Sequence, residues 1–69
     1  MKAEHEKACR DLVAYIALPM SDDERGAHVQ AVGNYLRAEG GAGLVGEAYE
    51  LVRGLGCDMN LFDHYWRRG

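Results

Sequence analysis

The chain has 69 residues, a formal net charge of −3 and 48% apolar side chains. That length allows one small domain, which buries only about 60% of the surface its unfolded chain exposes. Mixed charges on an apolar background argue for a folded chain over a disordered one. The acidic balance argues against generic attraction to phosphate backbones, because the eight Lys and Arg are scattered and only Arg67 and Arg68 adjoin. No apolar run is long enough to cross a membrane, and the N-terminus is too charged to read as a signal peptide. Two cysteines permit at most one disulfide, so reduced thiols and a cytoplasmic location are expected.

A first helix is predicted over Lys2 to Leu18. His5, Cys9, Leu12, Val13 and Ile16 recur at steps of three and four and form one apolar stripe. Glu6 with Arg10 and Lys7 with Asp11 are i,i+4 pairs on its exposed side. The run Leu18-Pro19-Met20-Ser21-Asp22-Asp23-Glu24 then stops this helix and starts another. Pro19 lacks a backbone N–H and disfavours helical geometry at Leu18. Ser21 and Glu24 have capping-box spacing, and three acids occupy the first turn, where the helix dipole favours negative charge.

The second helix is predicted over Asp22 to Glu39, with Val29, Val32 and Leu36 as its apolar stripe and His28 and Tyr35 at one edge. Gly40 and Gly41 should end it by permitting left-handed backbone geometry. Gly26, Gly33 and Gly40 fall seven residues apart, nearly in line. Gly33 in a helix interior costs about 1 kcal/mol against alanine. Close approach of the first or third helix is the expected compensation, with a smooth groove for a partner helix as the alternative.

Ala42 and Gly43 lead into a third helix over Leu44 to Arg53, where Leu44, Ala48, Leu51, Val52 and Leu55 share a face. Gly54 and Gly56 end it. Asp58 can cap a short fourth helix over Met59 to Arg68, with Cys57 and Phe62 at hydrophobic-staple positions. Leu61, Phe62, Tyr65 and Trp66 line one side of it, and Asp63, His64 and Arg67 line the other. The fold class is therefore all-α, a single-domain helical bundle over residues 1–69, with three main helices plus a short C-terminal one.

Chemistry is hard to find. His5 and Cys9, one turn apart, and Cys57 and His64 together resemble an incomplete zinc set, but the spacing fits no zinc motif, and structural roles are expected for all four. A cysteine and a histidine without a pocket, an orienting group and an oxyanion site do not make a nucleophile. Gly40-Gly41-Ala42-Gly43 lacks the Lys-Ser/Thr of a phosphate-binding loop. Ala42, Gly46 and Val52 match part of a helix-turn-helix pattern, yet Glu47 and Glu50 would face DNA unfavourably. No catalytic residue, cofactor or metal is expected.

What remains is a contact surface. Tyr65, Trp66, Arg67 and Arg68, with Tyr49 and Tyr35, are residue types enriched at interface hot spots. Phe62 is expected in the core and Trp66 at the edge of the apolar arc, facing a partner. The function expected is a non-catalytic protein-binding module, an adaptor or accessory subunit, with a homodimer as one form. Two alternatives stand beside it. One is a small acidic inhibitor of a nucleic-acid-processing complex, of the phage-encoded anti-CRISPR type. The other is a small DNA-binding regulator, although direct nucleic-acid binding is not expected.

Overall fold

The protein is seen in a computed structural model that describes residues 1–67. It contains three α-helices and, among the described residues, no strand. Helix α1 spans Ala3–Ile16, α2 spans Asp22–Gly54 and α3 spans Asn60–Trp66. No helix among the described residues is long and apolar enough to cross a membrane.

Helix α1 buries His5, Cys9 and Leu12, and Val13 and Ile16 pack against the core, so the predicted stripe is the packing face. Both exposed pairs form, Lys7 to Asp11 at 2.6 Å and Arg10 to Glu6 at 3.8 Å. Such pairs add only a few tenths of a kcal/mol each. The helix ends at Ile16, two residues before the predicted Leu18. Arg25 supplies part of the reason. Its Nε donates to the Ile16 carbonyl at 2.8 Å and its Nη2 to the Leu18 carbonyl at 3.2 Å, while Asp22 holds its Nη1 at 3.2 Å. One side chain of α2 thus satisfies carbonyls that the end of α1 leaves without helical partners.

Helix α2 begins where the capping signal places it. The Ser21 hydroxyl accepts from the Glu24 N–H at 3.2 Å, with Asp22, Asp23 and Glu24 in the first turn. Ser21→Ala is expected to destabilise the domain by about 1 kcal/mol, because that N–H loses its side-chain acceptor. A denaturation midpoint unchanged within error would show that Ser21 does not cap α2.

The left-handed break predicted at Gly40 and Gly41 is there, but no linker follows it. Helical structure runs from Asp22 to Gly54 and breaks at one residue, Gly41, with φ 68° and ψ −161°. That φ is strained for any residue with a Cβ. Gly41 turns the chain alone, so Ala42 and Gly43 belong to the second segment and not to a linker. The break lets one helical element present two apolar faces: Val29 and Leu36 before it, and Leu44, Val45, Ala48 and Val52 after it, all buried in one core. Val45, absent from the predicted face, is buried, whereas Leu55 is exposed.

Helices α1 and α3 each pack on α2 and make no close backbone approach to one another. Helix α3 starts at Asn60, whose N–H donates to the Asp58 carboxylate at 2.9 Å. Asp58 therefore fixes the start of α3 as expected, although the boundary residue itself is Met59. Phe62 is fully buried, with Cys57 packed against the same core.

Trp66 corrects the sequence reading. Its side chain is 4% exposed, its ring meets Phe62 edge-to-face with centroids 4.7 Å apart, and its indole N–H donates to the Val29 carbonyl at 2.8 Å. It is a core residue and not an exposed contact. This also explains two of the three glycines in line; a Cβ on the third, Gly40, would stand 2.7 Å from Leu44 Cβ in the second segment of α2. A Cβ on Gly33 would stand 2.7 Å from the Trp66 ring, and one on Gly26 would stand 3.1 Å from the Tyr65 hydroxyl. The element that approaches Gly26 and Gly33 is the short C-terminal helix, and not the first helix or the second segment of α2.

Candidate functional site

Two depressions dominate the surface. The larger, about 620 Å³, lies between the end of α1 and the start of α3, two helices whose backbones stay apart. Val13, Ile16, Leu55, Leu61 and Phe62 make it apolar, and Cys57 looks into it. Its cation, Arg25, has its guanidinium committed to the end of α1 and to Asp22. Asp58 and Asn60 stand on its edge, where Asp58 holds the start of α3.

The second depression, about 430 Å³, is different in kind. Arg37 from the first segment of α2, Arg53 from the second and Arg67 after α3 converge on it. Ala42 and Gly46 line it with small residues, Tyr49 and Glu50 stand on the same segment, and Trp66 backs it. Ala42, Gly46 and Arg53 are spaced so that Tyr49 and Glu50, three and four residues after Gly46, fall between them on one face of the segment. The break at Gly41 brings Arg37 to them.

Each arginine is positioned. Arg37 donates through Nη2 to the Tyr65 carbonyl at 3.1 Å and through Nη1 to Asn34 at 3.4 Å. Arg53 stands 3.6 Å from Glu50, a loose exposed pair. Arg67 lies over the Tyr49 ring, 5.2 Å from its centroid, in cation–π geometry. The Tyr49 hydroxyl donates in turn to Asp63. Contact with Tyr49, then the Asp63 and Glu50 carboxylates, hold the Arg67 guanidinium above its ordinary pKa. All three guanidinium groups remain exposed to solvent.

Of the predicted contact residues, the structure brings Tyr49 and Arg67 together and puts Trp66 behind them. Tyr65 is half-buried over Gly26, on the far side of Arg37. Tyr35 lies elsewhere, edge-on to His5 at 6.0 Å. Partial burial, then the Glu39 and Glu4 carboxylates, push its hydroxyl pKa up. Arg68 lies outside the described residues. Arg37, Arg53 and Gly46 were missed by sequence reasoning.

The histidines and cysteines do not assemble as a zinc set. Among the described residues, the group with ligand atoms close together is Glu4, His5 and Glu39, within 4.8 Å of one another. His5 Nε2 is 3.2 Å from Glu39, while its buried Nδ1 has no hydrogen-bond partner. A metal-bound imidazole normally donates its second N–H to a neighbour, and nothing here accepts one. A proton on Nε2, donated to Glu39, leaves Nδ1 an unpaired acceptor and explains the geometry without an ion.

Both cysteines are free, and burial is the chief cause that raises both thiol pKa values. A raised pKa leaves less thiolate at a given pH, so alkylation is expected to be slow near neutrality and to quicken only above the usual thiol range. Cys57, half-exposed, should react before fully buried Cys9. Mass spectrometry of the native protein under iodoacetamide reads the order. Earlier labelling of Cys9 would mean that α1 leaves the core.

No protein-family model, no curated protein and no solved structure matches this chain.

Proposed function

We propose that the protein is a non-catalytic binding module and that its contact surface is the arginine-rimmed depression around Tyr49. One observation carries the reading. A chain with a net charge of −3 gathers three of its eight basic side chains around a single opening built from both segments of α2 and the end of α3. Arginine and tyrosine together are typical of hot spots on protein surfaces. The opening is broad and shallow, which suits a protein segment better than an enclosed small molecule. Two free cysteines suit a cytoplasmic setting.

The test places a photo-reactive residue at position 50, inside the depression, or at position 10 on the exposed side of α1. Irradiation in the producing cell should give a covalent protein adduct from position 50 and not from position 10. Arg37→Ala with Arg67→Ala should abolish it. An adduct at twice the chain's mass would identify the partner as a second copy. Equal adducts from both positions, or none, would sink the proposal.

A further inference from the structure

Gly46 is the glycine that the fold does not require. It sits in the interior of the second segment of α2, where glycine is a poor helix former. Gly26 and Gly33 leave room for Tyr65 and Trp66, and Gly41 makes the break. Gly43 and Gly54 lie in end turns of the segment. A Cβ on Gly46 would meet nothing within 4 Å, and the space it would enter is the depression itself. Ala42, one turn earlier, keeps the same wall low. A bare helix surface among three arginines allows another backbone to come close enough for its side chains to reach the guanidinium groups.

We infer that this depression receives a carboxylate-bearing segment of a partner protein, its backbone against Gly46 and its acidic side chains among Arg37, Arg53 and Arg67; the inference rests on the protein-binding reading above. Arg37, Arg53 and Arg67 face two carboxylates, Glu50 in the rim and Asp63 beside it, so the patch keeps a local excess of positive charge that suits a segment with few acidic side chains. Guanidinium groups match carboxylates in two-point geometry. Arg37 is anchored by the Tyr65 carbonyl and Arg67 by the Tyr49 ring, which lowers the entropy lost on binding. A nucleic-acid strand fits less well. Its affinity grows with the number of phosphates neutralised, and Glu50 and Asp63 border this small patch on an acidic chain.

The test is a titration of the full chain, followed by amide and arginine side-chain NMR. The probes are a short peptide bearing a few glutamates, inorganic phosphate and a single-stranded oligonucleotide matched to the peptide in charge. The peptide should give saturable shifts at Gly46, Tyr49 and the three arginine side chains, with phosphate and the oligonucleotide weaker. Arg37→Ala with Arg53→Ala should weaken the peptide by about tenfold or more. Gly46→Leu, a better helix former with its side chain in the opening, should raise the melting temperature or leave it unchanged and still abolish the shifts.

Unimpaired peptide binding to Gly46→Leu would overturn the inference. So would tighter binding of the oligonucleotide at the same resonances, or no saturable peptide shifts. A position-50 adduct without peptide binding would leave the binding module standing and remove its acidic partner. Peptide binding without an adduct would leave a carboxylate site and remove the protein-binding reading.

Discussion

Trp66→Ala is expected to cost about 3–5 kcal/mol, enough to unfold much of a domain this small at ordinary temperature. Three losses coincide. The substitution opens a cavity behind Gly33, removes the edge-to-face partner of Phe62, and takes from the Val29 carbonyl the buried bond it makes beyond its own helical one. Trp66→Phe separates them, since it keeps a ring in the space and loses the hydrogen bond. Its cost should fall well below that of alanine, near the about 0.5–1.5 kcal/mol of one net hydrogen bond, because the Val29 carbonyl keeps its helical donor. Urea titration of both variants reads the result. A folded Trp66→Ala protein with wild-type stability would mean that α3 is not seated on α2, and the described core would then be wrong.

Gly33→Ala is the second large effect, and it runs against helix propensity. In an open helix the change stabilises by about 1 kcal/mol. Here the new methyl group would stand 2.7 Å from two atoms of the Trp66 ring. The ring is held, because its N–H is tied to Val29 and it packs perpendicular to the Phe62 ring. Overpacking of this kind costs about 1–3 kcal/mol, which after the propensity gain leaves a net loss of up to about 2 kcal/mol. Gly46→Ala is the internal control. It meets open space and should stabilise by about 0.5–1 kcal/mol. The clash should also largely vanish in a Trp66→Ala background, a coupling that a double-mutant cycle measures. Equal stabilisation by Gly33→Ala and Gly46→Ala would contradict the close approach of α3.

Sequence reasoning succeeded where the physics is local. The stripe from His5 to Ile16, the Ser21 cap and the pairs on α1 depend on residues within one or two turns of each other. It failed where a contact spans the chain. Trp66 looked peripheral on its own short helix, and its place became clear only with Val29 and Gly33 opposite it. The left-handed break at Gly40 and Gly41 was legible, but not that Ala42 and Gly43 would be helical directly after it. The site divides the same way. Tyr49 and Arg67 were singled out by residue type. The repeat Ala42, Gly46, Tyr49, Glu50 and Arg53 was present in the sequence, but its small and charged members carry no hydrophobic signal. Arg37 joins only through the break at Gly41.

The bond between Trp66 and Val29 also orders events in time. A ribosome delivers α1 and α2 before α3, and until residue 66 emerges Gly26 and Gly33 line an uncovered track with Val29 at its base. Until α3 is available, the nascent chain therefore holds a helical pair with an open seam. Chaperone capture, proteolysis and misassembly all find their opportunity in that interval. A seven-residue helix, too short to persist alone, closes it.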